Sequence, residues 1–176
     1  CDLNDVKDLL KHQIECNTAI AEEGLKNDWG SNIGRTYINT YGNDIRVRAA
    51  AMAAAGSDAR MNGCEMPVVI NSGSGNQGMT ASIPVIIYAQ EMGAPEDALY
   101  RALVVSNLIT IHLKTGIGSL SAYCGATSAG VGAGAGTGRG DGSAGTVCAV
   151  FQVVHPRQAD SARLRGGTVG DDPVRR

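Results

Sequence analysis

A chain of 176 residues with 43% apolar and 18% charged side chains is the size of one domain and can bury a core. That excludes general disorder and any need for disulfide or metal staples. Its formal charge of −2 provides no basic footprint for nucleic acid or an anionic membrane, and no apolar run nears the roughly 18 residues of a membrane span. Twenty-four glycines against one Phe and one Trp call for a core of aliphatic and small side chains.

Helix signals dominate to about residue 136. Asn4 can cap a first helix with Asp5 in its opening turn, and Val6, Leu9, Leu10, Ile14 and Ile20 follow near helical spacing, with a stop near Gly24. Residues 27–42 (NDWGSNIGRTYINTYG) read as a polar, glycine-punctuated loop. Asn43 or Asp44 can cap a second helix that runs through Ile45, Val47 and an alanine-rich stretch to about Arg60. A short apolar run from Pro67 to Ile70 meets a Gly/Ser loop, and a helix is expected from about Asn76 to Met92. Pro84 inside it predicts a kink or a late start, and Gly93 suits the position after its end. Pro95, Glu96 and Asp97 form a helix start, with acids at the positive dipole end. Leu99, Leu103, Val104, Leu108 and Ile111 supply that helix's apolar stripe. Lys114 suits its negative end, and Gly116 and Gly118 break it.

Residues 119–136 (SLSAYCGATSAGVGAGAG) are all small or apolar. A glycine inside a helix costs about 1 kcal/mol relative to alanine. This segment is therefore either a buried helix held by close packing or a flexible run. Beyond about residue 137 the chain has no Lys, Glu, Asn, Ile or Tyr and no sustained period. The expected organisation is a helical domain over 1–136 and a divergent, disordered tail over 137–176. Because the chain opens with Cys1 rather than Met, the expectation is a piece of a longer protein.

Five cysteines at wide, irregular gaps (Cys1, Cys16, Cys64, Cys124 and Cys148) make a poor disulfide framework, and no CxxC pair marks a zinc ribbon. A reducing, cytoplasmic compartment is the simplest expectation. Singly, each cysteine reads first as a small buried hydrophobe.

Gly73-x-Gly75-x-x-Gly78 matches the dinucleotide-binding pattern GxGxxG, but its context fails. The second apolar strand that a βαβ unit needs is replaced by the helix start at Pro95. The loop still has chemistry. Ser72, Gly73, Ser74, Gly75, Asn76, Gln77 and Gly78 offer backbone N–H groups, hydroxyls and amides where a helix should begin, which is a natural anion site. With no charge of its own, the loop suits a small carboxylate better than a triphosphate. The bland alternative is a Gly/Ser turn with helix caps.

Residues 57–86 (SDARMNGCEMPVVINSGSGNQGMTASIPVI), followed by LSAYCGA at 120–126, resemble the L-cysteine desulfidase family, a relative of the α-chain of iron–sulfur L-serine dehydratases. The resemblance covers about residues 3–136, and NSGSGNQG is its most specific part. It implies a mostly α, bundle-like catalytic domain that uses a [4Fe–4S] cluster and no pyridoxal phosphate. The implied reaction is β-elimination from L-cysteine to pyruvate, ammonia and sulfide, or related chemistry on L-serine. By resemblance Cys124 is a cluster ligand, and residues 72–78 hold the substrate carboxylate. The remaining cluster cysteines, expected in a segment of the form CDGAK and a later Cys, are absent from this chain, and the catalytic base is unassigned. A non-catalytic helical domain without the cluster is the alternative. The partner implied is a small amino acid, not nucleic acid or membrane, with a homo-oligomer left open. Cys64, His112 and Lys114 are expected in packing and helix-end roles, and Asp58 and Arg60 as a pair across a turn.

Overall fold

The computed structural model describes residues 2–118 and 124–138. It is mostly α, as expected. Within the described residues a 3-10 turn, Leu3–Asp5, precedes six helices: α1 (Lys7–Lys26), α2 (Ile33–Tyr41), α3 (Ile45–Met61), α4 (Gly75–Glu91), α5 (Glu96–Ile117) and α6 (Gly125–Thr137). The expected tail after residue 137 lies outside the described residues but for Gly138, as do residues 119–123.

Thirteen of the seventeen residues of α4 are buried, so α4 forms the centre of the bundle. Helices α1, α3, α5 and α6 pack around it. Ile20, Met79, Ile83, Ile86, Tyr100 and Leu103 are its main core side chains, each at most 2% exposed. Close packing on this scale is what compensates a chain poor in aromatics. Pro84 lies inside α4 and is buried, and the helix continues through it to Glu91. The proline removes the donor for the Thr80 carbonyl without ending the helix.

Several expected boundaries shift, each through a tertiary partner. Asn4 does not cap α1. Asp2 instead accepts from the Asn4 N–H at 3.0 Å and starts the 3-10 turn. Gly24 does not end α1 but sits inside it, buried, where a Cβ would run into the Ala55 carbonyl of α3. The expected loop over 27–42 contains α2. The Ile33 N–H at its start donates to the Asp58 carboxylate at 3.1 Å, and Gly34 packs on Ala51 and Ala55. Both contacts come from α3, so no local signal announces them.

Gly116 does not break α5, which runs through it to Ile117 with Gly118 at the C-cap, and Leu108 and Ile111 of the expected apolar stripe are exposed. Other expectations match. Asp44 occupies the N-cap of α3, and Ala49, Ala50, Ala51, Ala53, Ala55 and Ala59 are all nearly inaccessible. Pro95 stands at the N-cap of α5 with Glu96 and Asp97 in the first turn. Lys114 donates to the Gly118 carbonyl at 3.0 Å. Over the described part, the small-residue segment is the buried helix and not the flexible run. Helix α6 lies against α4 and α5, with Gly132 seated on the Ser106 carbonyl and Thr110.

Candidate functional site

The Gly/Ser loop ends at the first turn of α4. Asn71 and Ser74 exchange backbone hydrogen bonds at 3.1 and 3.2 Å, closing a tight turn. Its two central residues, Ser72 and Gly73, both have positive φ (50° and 87°), a conformation that glycine adopts freely and serine only at a cost. The turn is held from below by side-chain amides. Asn71 Nδ2 donates to Asn107 Oδ1 of α5 at 2.8 Å, and Asn107 Nδ2 donates to Gln13 Oε1 of α1 at 2.8 Å. Upstream, Asn17 of α1 grips Val69 on both sides. Its Oδ1 accepts from the Val69 N–H at 2.8 Å, and its Nδ2 donates to the Val69 carbonyl at 3.2 Å and to Ser82 Oγ at 3.0 Å.

The first i→i−4 bond of α4 runs from Gly78 N–H to the Ser74 carbonyl. The N–H groups of Gly75, Asn76 and Gln77 therefore precede the helical ladder, at the positive end of the helix dipole. Arg60 brings a full charge to this end. Its side chain lies over Gly75, and Nη1 donates to Asn76 Oδ1 at 3.0 Å. Gly78 is buried where a Cβ would strike the Val69 carbonyl, so its identity is dictated by packing.

A cavity of about 340 Å³ opens beside this turn, at the small end of the range for ligand pockets. Ser74, Asn76 and Gln77 line one wall, and Cys124 with Gly125 and Ala126 lines another. The loop and Cys124, over forty residues apart in sequence, therefore share one cavity. Cys124 is exposed and stands at the N-cap of α6, so two helix N-termini converge on the same space. Ser57 and Asp58 of α3 and Thr80 of α4 also line it.

Gln77 is 8% exposed, and its Oε1 is a buried acceptor without a hydrogen-bond partner. Its carboxamide packs so closely on Gly125 that a Cβ there would overlap it. Such an orphan is unusual, because buried polar groups are almost always paired.

Not all of the expected loop faces this cavity. Ser72 lines a separate groove with Leu9, Ile70 and Leu108, Gly73 is exposed, and Gly75 and Gly78 are buried in packing contacts. Asp58 and Arg60 do not pair with each other. Asp58 caps α2 and Arg60 reaches Asn76, because the turn of α3 between them sends the two side chains to different neighbours. Sequence reasoning saw both residues and missed that they flank the site. Ser57 and Thr80 carried no sequence signal. Cys64 is half-buried against the core, and His112 is exposed on α5.

A [4Fe–4S] cluster with one open iron needs three thiolates. Among the described residues Cys124 is the single cysteine on the cavity, and they contain no group of three or more His, Cys, Asp or Glu placed to hold a metal. By themselves, then, these residues do not make a cluster site.

The serine dehydratase alpha chain family matches residues 1–154. A UPF0597 protein of Desulfitobacterium hafniense is 67% identical over 128 residues, covering 73% of this chain and 30% of the relative. UPF0597 proteins of Lachnoclostridium phytofermentans and Fusobacterium nucleatum are 58% and 54% identical over 128 and 133 residues, covering 73% of this chain and 31% of each relative. The chain thus spans about 30% of the length of the curated relatives it matches. No solved structure matches. A match over so much of the chain, on a helical fold with the Gly/Ser turn and Cys124 on one cavity, places this chain in the serine dehydratase alpha chain family.

Proposed function

We propose that this chain forms the substrate-holding part of an iron–sulfur-type lyase that carries out β-elimination on a small L-amino acid, L-cysteine by preference and L-serine as the related substrate. The observation that carries the reading is the shared cavity, where the first turns of α4 and α6 and the Cys124 thiol meet. Residues 72–78 are assigned to the substrate carboxylate. Ser74, Asn76 and Gln77 line the cavity, and the other four residues shape the turn that presents the N–H groups.

The chemistry asked of the protein is modest in kind. The Cα proton and the β-substituent leave the amino acid, and the enamine that remains tautomerises and hydrolyses to pyruvate and ammonia. A fixed pose is what makes that proton removable. Free N–H groups and a helix dipole bind an anion without a dedicated cation. Arg60, bonded to Asn76, adds to the positive field. Cys124 is assigned as one cluster thiolate, with the other ligand cysteines supplied from outside this chain. The working unit is taken as the helical domain to about residue 136, in a reducing cytoplasmic compartment where thiols stay free. A helical domain that binds the amino acid without turning it over is the second reading, favoured by the single thiolate that the described residues bring to the cavity.

The test is alkylation of Cys124, the exposed cysteine among the described residues. L-Serine should slow its modification by iodoacetamide, followed by peptide mass spectrometry, while Cys64 modification stays unchanged. Equal rates at Cys124 with and without saturating L-serine would remove the shared-site reading. Pyruvate release from L-cysteine after anaerobic supply of iron and sulfide, lost in Cys124→Ser, separates the lyase from the binding-only domain.

A further inference from the structure

The cavity extends past the first turn of α4. Thr80 lies four residues beyond Asn76, on the same face of the helix and about 6 Å further along its axis. Helix α3 contributes Ala50, Ala53, Ala54 and Ser57 to the same cavity, a wall of small side chains. Thr80 is 3% exposed, yet its hydroxyl makes no hydrogen bond to any described residue. A buried hydroxyl in a helix usually bonds to a nearby carbonyl. Ser82 of α4 and Ser106 and Thr110 of α5 do so, at 2.8, 2.6 and 2.8 Å. Thr80 Oγ1 is also not closed off in the way that Gln77 Oε1 is, and it keeps accessible surface. The fold makes no use of this hydroxyl, and a partner arriving in the cavity would satisfy it.

We propose that Thr80 is a specificity-determining residue whose hydroxyl holds the β-substituent of the ligand, the group that leaves in the elimination. A small amino acid lying along α4 meets both features at once. Its carboxylate sits at the free N–H groups of the first turn, and its side chain points one turn further along, to Thr80. A hydroxyl both donates and accepts, so Thr80 can pair with a β-hydroxyl in either sense. A ligand ending in a bare methyl would leave it unpaired. Held in this way, the β-substituent has a fixed direction from Cα, which an elimination requires. The assignment rests on the reading that the first turn of α4 takes the substrate carboxylate, and the experiment separates the two ideas.

The ligands are L-serine and L-alanine, which share carboxylate and ammonium and differ in the β-hydroxyl alone. Binding of each to the full chain is measured by titration calorimetry, with Thr80→Val and Thr80→Ser as variants. Valine keeps the branched shape and removes the hydroxyl, and serine keeps the hydroxyl. Expected is L-serine binding about fivefold tighter than L-alanine, from one hydrogen bond that L-serine alone makes. Thr80→Val should bring L-serine to the L-alanine level and leave L-alanine unchanged, while Thr80→Ser keeps the preference. The urea midpoint of Thr80→Val should not fall, because the hydroxyl it loses has no partner in the fold. A lowered midpoint would place the hydroxyl in the fold and overturn the proposal. If the wild type binds both ligands alike, or Thr80→Val weakens both equally or keeps the preference, the role of Thr80 is overturned and the carboxylate reading stands. If neither ligand binds, the carboxylate reading falls and takes the assignment with it.

Discussion

Tyr100 shows how one side chain on α5 ties stability to pH. It is 2% exposed, and its hydroxyl donates to the Glu96 carboxylate one turn earlier. That hydrogen bond, then burial, then the charges of Glu96, Asp97 and Glu15 push its pKa from 10.0 up to about 12. The fold therefore favours the protonated phenol. The stabilisation is complete below pH 10, the ordinary value, and is lost as pH climbs from 10 through about 12. Denaturation midpoints measured across that range should fall more steeply in the wild type than in Tyr100→Phe, and ultraviolet titration of the wild type should show a late-ionising component that Tyr100→Phe loses. Parallel pH curves for the two proteins would exclude Tyr100 as the source. At this same scale the sequence was informative about candidate residues and silent about their partners. Gln77 was legible as part of a polar loop. Its orphaned oxygen was not, because that depends on Gly125 arriving from α6.

Among the helices, α6 is the one that sequence left open, and a magnitude decides why it forms. Replacing glycine by alanine in an exposed helix gains about 1 kcal/mol of propensity. At Gly132 a Cβ would press on the Ser106 carbonyl and Thr110, and overpacking of that kind costs about 1–3 kcal/mol. Packing should win, so Gly132→Ala should lower the urea midpoint despite the better helix former. Gly116, inside α5 with nothing near its Cβ position, is the control, and Gly116→Ala should raise the midpoint. If both substitutions stabilise, α6 is not pressed against α5 as closely as described. The missed helix α2 teaches the same lesson. Its start is bonded to Asp58 and its glycine fits between two alanines of α3, so its stability comes from a neighbour more than from its own nine residues.

The whole bundle is organised around α4, and Asn17 is the point where three of its parts meet. One buried amide joins α1 to Val69 of the connecting segment and to Ser82 of α4. Asn17→Leu should destabilise the protein by about 1–3 kcal/mol, the cost of leaving buried backbone groups unpaired, read as a shifted denaturation midpoint. It should also loosen the turn at residues 71–74, so L-serine should no longer protect Cys124. An unchanged midpoint would show that water replaces the amide at no cost. By itself the sequence determined the helical class, the starts of α3, α4 and α5 and the polar make-up of the Gly/Ser turn. Those follow from apolar spacing, capping residues and glycine content, which act over a few neighbours. Only the tertiary structure decided that α2 exists, that α6 is buried, that Asp58 and Arg60 part company and that Cys124 shares a cavity with Gln77. Each of those outcomes rests on contacts between groups distant in the chain, and a one-dimensional pattern carries no distance between them.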